Sequence, residues 1–283
     1  MFGKLFHIFV ADPADATISV SGYTGVYDGN PHGATGTAKG IKGEDLSSLL
    51  HLGDSFTNVP GGTANWTFDG NTNYKTAKGS ATITITQKAA SVTPNAASKT
   101  YGSADPAFSG TLNGFIASDN VTATYSRTAG ETVGTYTISA VLNPAGVHGN
   151  YAITYNTATF SIQAWTLKGF YQPVDMSTIS TLIYNTVKNG STVPLKFEIF
   201  AGSTELTNTS SVKSLTNAQT SCDANALTDD IETTATGGTV LRYDTTDGQF
   251  IYNWKTPNTA GKCYRVTMTT LDGSSLAAYF KLK

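Results

Sequence analysis

The chain has 283 residues, a net charge of −2 and 13% charged residues, about half the share of an ordinary globular protein. It has no basic run and no basic–aromatic interleaving to meet a phosphate backbone, which excludes nucleic acid as a partner. No apolar run approaches the ~20 residues needed to span a bilayer. The 14 Tyr, 13 Phe and 3 Trp supply the core material that equally polar disordered chains lack, so the expectation is a folded, β-rich protein.

Residues 1–11 are the most apolar stretch. A lysine ahead of a short apolar run superficially resembles a signal peptide, but His7 interrupts the run and Asp12-Pro13 stands where small cleavage-site residues belong. The segment reads as an ordinary first strand, or as the boundary of a longer protein. In a sharper reading, Leu5, Phe6, Ile8, Phe9 and Val10 form a strand offered to the sheet edge of a neighbouring subunit.

Thr17-Ile18-Ser19-Val20-Ser21 alternates as a half-buried strand does, and Tyr27-Asp28-Gly29-Asn30-Pro31 carries turn chemistry. Glu44 to Leu50 predicts a short helix, with acids first and leucines at i, i+3 and i+4. Pro60-Gly61-Gly62 is a turn before a strand over Ala64 to Phe68. The strand Ala81 to Thr86 places Ala81, Ile83 and Ile85 on one face and threonines on the other, as in an antiparallel sandwich. Gln87 to Asn95 reads as a short linker that restricts bending between two bodies.

Much of this then recurs. Asn73-Tyr74 returns as Asn150-Tyr151, and Ala81-Thr82-Ile83-Thr84-Ile85 returns as Ala158-Thr159-Phe160-Ser161-Ile162, both at an offset of 77 residues (73 to 150, 85 to 162). Such a period suits a small domain with its own core rather than a solenoid unit. In the second copy, strands are expected over Val121–Ser126, Val133–Val141, Tyr151–Tyr155 and Thr157–Ile162.

Ser21 to Ala34 and Phe56 to Phe68, with the Tyr27-Asp28-Gly29-Asn30-Pro31 and Val59-Pro60-Gly61-Gly62 segments, resemble the MBG repeat, a mostly bacterial immunoglobulin-like module. Tyr101-Gly102-Ser103-Ala104-Asp105-Pro106 and Gly149-Asn150-Tyr151 resemble a variant of it. The resemblance covers about 150 residues and implies tandem stalk modules of secreted or surface proteins, without catalytic residues.

From residue 164 the pattern changes. Val193, Leu195, Phe197 and Ile199 share one face, and Pro194 within that strand calls for an edge or a bulge. Phe250, Tyr252 and Trp254 alternate likewise, as do Tyr264, Val266 and Met268, which turns Cys263 to the opposite face. Pro194-Leu195-Lys196-Phe197, together with Phe170 to Val174, Tyr252 to Thr256, Gly261 to Arg265 and Phe280 to Lys283, resembles the PxKF family. That resemblance implies a further β-sandwich without assigned chemistry.

Cys222 and Cys263 are the only cysteines. They read as one disulfide of an oxidising, extracellular setting; a reactive thiol or half a metal site is the competing reading, with no CxxC spacing to favour it. Asp69-Gly70-Asn71-Thr72-Asn73 has calcium-loop spacing but Tyr74 and Ser80 where Gly and Glu belong, so it reads as a turn. Asp244 to Gly248 reads as a hairpin turn. Lys196 near Asn253 is a candidate isopeptide crosslink against a snorkelling surface lysine. Sequons at Asn65, Asn120, Asn189 and Asn208 are what a Thr- and Asn-rich chain produces by chance. No Ser, His and acid grouping and no carboxylate pair marks an active site, and no cofactor is implied.

The expected architecture is therefore all-β: an apolar segment over 1–11, then three tandem immunoglobulin-like sandwiches over 12–87, 88–163 and 164–283. Three non-catalytic functions fit an extracellular protein of this kind. It is a stalk of neighbouring modules, a filament of copies of itself joined by residues 1–11, or a glycan- or receptor-binding adhesin using Tyr171, Tyr243 and Trp254.

Overall fold

The computed structural model describes residues 12–231, 234–235 and 238–283. The candidate subunit contact at Leu5, Phe6, Ile8, Phe9 and Val10 lies outside the described residues. The protein is all-β, as the alternation demands. It divides into two compact units: Met1–Asn95, Phe108–Arg127 and Ile138–Ala158 form one, and Ala96–Ala107, Thr128–Thr137 and Thr159–Lys283 the other. Strands drawn from 88–163 fall in both units.

The first strands are β1 (Thr17–Ser21), β2 (Tyr23–Val26), β3 (Thr35–Lys39), β4 (Leu50–His51), β5 (Gly61–Phe68) and β6 (Ala77–Thr86). β1 pairs antiparallel with β3, while β2 runs parallel to β6 in a second sheet ordered β2-β6-β5-β4. Gly22 is where the chain changes sheets. A Cβ there would lie 2.0 Å from the Thr82 carbonyl oxygen, so only glycine allows the crossing. Ala81, Ile83 and Ile85 are buried as the alternation predicts. The sheet, however, is mixed rather than antiparallel, because its first and last strands lie side by side in the same direction.

The predicted helix over Glu44–Leu50 is not formed; only a 3-10 turn occupies Ser47–Leu49. Local bonds compete for its backbone: Asp45 accepts the Ser47 N–H at 2.9 Å, and Leu46 N–H goes to the Ala38 carbonyl at 2.9 Å. The leucines still find a core with Ala38, Phe68 and Tyr74. The linker expected over Gln87–Asn95 is corrected too, since Lys88–Pro94 is a strand, β7, and Gln87 alone separates it from β6. Its Ala-Ser-Thr-Pro composition resembles a linker, but Ala90 and Val92 are buried on alternate positions.

Next come β8 (Ala97–Thr100), β9 (Gly110–Asn113), β10 (Thr122–Arg127), β11 (Gly134–Asn143), β12 (Tyr151–Tyr155) and β13 (Ala158–Gln163). Their pairing repeats the earlier scheme. β7 is antiparallel to β9 as β1 is to β3, and β8 is parallel to β13 as β2 is to β6. β12 runs parallel to β7 from Tyr151↔Lys88, where the earlier copy has the parallel bridge Ala14↔Tyr74. The sequence repeat is thus matched in backbone pairing.

The last strands are β14 (Thr166–Tyr171), β15 (Ile183–Val187), β16 (Thr192–Ala201), β17 (Thr204–Glu205), β18 (Val212–Thr220), β19 (Leu227–Asp230), β20 (Arg242–Asp244), β21 (Gln249–Lys255), β22 (Cys263–Thr270) and β23 (Ser275–Leu282). They make two sheets, β14-β16-β21-β20 with β17 beside β16, and β18-β22-β23-β15-β19. Val193, Leu195, Phe197 and Ile199 from the first sheet meet Tyr264, Val266, Met268 and Phe280 from the second in one core, which makes this part a sandwich. Pro194 stands beyond the last β14 partner, Lys196, so its missing N–H takes no bond from the β14–β16 ladder. β19 is an edge strand exposed at all four residues. A hydrogen bond with Asp175 pushes the Asp229 carboxyl up, while Lys283, with Thr186, holds Asp230 below the usual range.

Phe197 is fully buried, stacked on Phe250 at 5.3 Å and edge-on to Phe170 at 5.9 Å. Phe197→Ala should cost about 3–5 kcal/mol through lost burial and a residual cavity, read as a lower urea midpoint at constant slope.

Candidate functional site

Two tyrosines at equivalent repeat positions each anchor a set of polar and ring contacts. Each sits just past a strand that is paired in parallel with the closing strand of its copy. Tyr27 N–H donates to the Thr86 carbonyl, and Tyr101 N–H to that of Gln163, both at 2.9 Å. The backbone therefore delivers each ring to the start of the next stretch of chain.

Tyr27 packs edge-on to Tyr151, with centroids 5.5 Å apart, and its hydroxyl donates to the Asp119 carboxylate at 3.0 and 3.1 Å. The Tyr151 hydroxyl also donates to Asp119 and accepts the Ile116 N–H at 3.0 Å. Beside it, the Asn150 side chain accepts the Val59 N–H at 3.0 Å and donates to Asn58 at 2.8 Å. The Gly29 turn, held at φ +80°, lies over Ile116. Apolar rings, one carboxylate and one carboxamide thus hold residues 27–29 and 58–59 against residues 116–119 and 150–151.

Tyr101 is met differently. Its ring is edge-on to Trp165 at 5.4 Å, and its carbonyl accepts the Trp165 indole N–H at 3.1 Å. The Trp165 backbone N–H donates to Asp272 at 2.6 Å. Burial works against ionisation of Asp272, but hydrogen bonds from Thr270, Trp165 and Ser274 outweigh it and hold the carboxyl below its usual range.

Sequence reasoning placed neither seat, because their members lie 92, 32 and 64 residues apart. The available signal was the recurrence of Tyr27 as Tyr101 and of Tyr74 as Tyr151. Of the residues the sequence did single out, Cys222 and Cys263 form a disulfide with Cα atoms 5.3 Å apart. Cys263 is buried on the side of β22 away from Tyr264, Val266 and Met268, and Cys222 is exposed. The bond ties the Cys222 loop to the sheet without entering the main core.

Trp254, proposed for an exposed aromatic platform, is instead 3% exposed and packed on Phe280 at 4.7 Å. Tyr243 is half-buried against Phe250 and donates to Glu205 at 2.8 Å, and Tyr171 is half-buried. Asp69 to Asn73 is a turn closed by Asn71 N–H to the Tyr74 carbonyl at 2.9 Å, and Asp244 to Gly248 a hairpin turn closed at 2.9 Å. Lys196 and Asn253 lie on adjacent strands and on the same face, the one turned from the main core, in register with Ile251 and Pro194; Asn253 is buried there and its amide donates to the Gly238 carbonyl. Among the described residues no group of three or more His, Cys, Asp or Glu side chains could hold a metal ion. No helix among them is long and apolar enough to cross a membrane.

The fold defines an all-β class of protein. Residues 90–161, which include Tyr101-Gly102-Ser103, match the family model of the MBG domain (YGX type). Among solved structures, a tandem pair of titin Ig domains is 14% identical, with 70% of this chain and 93% of that one covered and a TM-score of 0.20. Three N-terminal domains of the Highly Immunogenic Outer Capsid protein of bacteriophage RB49 are 14% identical over 96% of this chain and all (100%) of theirs, TM-score 0.23. The eight N-terminal Ig domains of Down Syndrome Cell Adhesion Molecule are 12% identical, with 96% of this chain and 39% of that one covered, TM-score 0.25. The comparison with curated proteins found no match.

Burial, followed by the Asp119 hydrogen bond, pushes the Tyr151 phenol up to about 12 from its ordinary 10.0, and Tyr27 moves the same way for the same reasons. A phenol raised on folding contributes stability that is complete below pH 10 and is lost as pH climbs through the folded value. Phenolate absorbance should therefore show Tyr27 and Tyr151 among the late-titrating tyrosines, with stability falling between about pH 10 and 12, and Asp119→Asn should shorten their lag. Reducing the disulfide, which closes a separation of 41 residues, should cost ~4 kcal/mol by the chain-entropy relation, measured by denaturant titration with and without reductant.

Proposed function

We propose that the chain is a non-enzymatic structural and adhesive part of a bacterial extracellular surface assembly. In this reading, immunoglobulin-like modules over 12–87, 88–163 and 164–283, the last PxKF-like, act in series as a stalk. The observation that carries it is the recurrence of a packed tyrosine just past the parallel-paired strand of each repeat copy, at Tyr27 and at Tyr101. A seat of this kind consumes its hydrogen-bonding groups in holding one piece of chain to the next, and a single residue, Gln87, joins the strands on either side of the first. Resistance to bending comes from such contacts together with minimal connecting chain. The MBG match over 90–161 supports a surface role, and the disulfide supports an oxidising compartment.

The test is to loosen the first seat. Tyr27→Ala and Asp119→Ala should each remove a charge-assisted hydrogen bond and cost about 1.5–3 kcal/mol. Amide exchange at Val59 and Ile116 should speed by roughly tenfold or more while the circular dichroism of the β-structure persists. Unchanged exchange at both amides, with the mutant folded, would remove the seat from the argument and the stalk with it.

A further inference from the structure

Residues 216–230 cross the C-terminal sandwich without joining its core. Val212 and Leu215 pack on that core ahead of them and Ile231 after them, and among the described residues no side chain from Thr216 to Asp230 does so. Leu227, the one large apolar side chain of the stretch, is 60% exposed, and the charges are Asp223, Asp229 and Asp230 with no cation among them. Burial of apolar surface therefore does almost nothing to fix this segment.

Its path is demanding all the same. β18 and β19 are opposite edges of the sheet β18-β22-β23-β15-β19, so residues 221–226 pass from one edge to the other. They do so over the outer face. Tyr184 and Cys263 point to that face, since Val187 and Tyr264 belong to the core on the other side, yet they are 2% and 0% exposed. The crossing chain lies on them: the Tyr184 hydroxyl donates to the Ser221 carbonyl at 3.0 Å and accepts the Asp223 N–H at 3.4 Å, and Cys263 is bonded to Cys222.

The remaining holds are polar. β18 pairs with β22 and β19 with β15, the Thr186 hydroxyl donates to the Asp229 carbonyl at 3.0 Å and to the Asp230 carboxylate, and Lys283 pairs with Asp230 at 2.6 Å. Exposed hydrogen bonds and rim ion pairs are individually weak, which leaves the disulfide as the one strong hold on the crossing.

We infer that residues 216–230 are a strap across the second sheet of this sandwich and that the Cys222–Cys263 disulfide is its latch, so that thiol reduction frees the strap while the two-sheet core stays folded. The reductant is a dithiol, which supplies the two electrons and two protons. Its thiolate attacks the sulfur of Cys222, the exposed partner; the S–S bond breaks, and Cys263 leaves as a thiolate that takes up a proton. The second thiol of the reagent then displaces Cys222 from the mixed disulfide as a thiol, and the reagent departs as a cyclic disulfide. Opening bares Tyr184 and the edges of β22 and β15 that the strap fills. None of this depends on the serial reading above.

The test compares the full chain before and after treatment with a dithiol, by hydrogen exchange and by alkylation with iodoacetamide once the reagent is removed. Exchange over 216–230 should speed by about tenfold or more, and in the reduced chain it should be insensitive to urea below the unfolding transition, unlike exchange in β16 and β23. Cys263 should be alkylated within about tenfold of the rate at Cys222, again without help from urea. Cys222→Ser, a change at an exposed position that keeps Cys263 in place, should reproduce the faster exchange and the Cys263 labelling with no reductant, and the reduced native chain carries the test alone if that variant does not fold. Unchanged exchange over 216–230 overturns the proposal. So does Cys263 labelling that follows the urea unfolding of β16 and β23, or loss of the whole sandwich on reduction, because the bond is then a staple of the entire body and not a latch on one segment.

Discussion

The crossing of one strand from sheet to sheet is the constraint on which the repeat copies depend. β1 belongs to one layer and β2 to the other, with Gly22 at the crossing, and β7 and β8 divide the same way across Asn95-Ala96. In the first copy this pins one stretch of chain in both layers. The second half of each such strand is then fixed by the last strand of its copy, running parallel. Parallel neighbours cannot be joined by a hairpin, so the rest of the copy lies between them in sequence. That pairing brings Tyr27 to Thr86 and Tyr101 to Gln163, and so the seats are a result of the topology.

Part of this was legible in the sequence, for identifiable reasons. Ile83, Ile85, Val193, Leu195 and Phe197 alternate with polar residues because one face meets a core, and the structure buries them accordingly. The cysteine pairing followed from there being two, and the outward turn of Cys263 from the alternation of its neighbours. Lys88–Pro94 was misread because small residues and a proline look the same in a linker as in a strand packed against other small residues. Glu44 to Leu50 failed as a helix because its apolar spacing is equally satisfied by one 3-10 turn that drops leucines into a core, while Asp45 and Ala38 claim the backbone. Parallel pairing leaves no local trace, since it is decided by residues some 60 positions apart.

The seats were hidden by the same non-locality. Asp119 reads as an ordinary surface acid until Tyr27 and Tyr151 arrive from opposite directions in the chain. Both tyrosines were visible as repeated positions, yet repetition alone does not separate a core ring from one that spans a boundary. The difference lies in the hydroxyl, which is spent on a carboxylate here. Trp254 makes the converse point, because aromatic residues that looked available for a ligand are spent on packing.

The rim of the C-terminal sandwich has its own consequence. Among the described residues β19 has one strand neighbour, β15, and it carries Asp229 and the Lys283-paired Asp230 along an exposed edge. Like charges brought face to face repel, so two such rims do not zip into a continuous sheet. Such an edge is a poor template for lateral sheet pairing, and acidification, which protonates the raised Asp229 carboxyl ahead of an ordinary one, is the condition that weakens this protection.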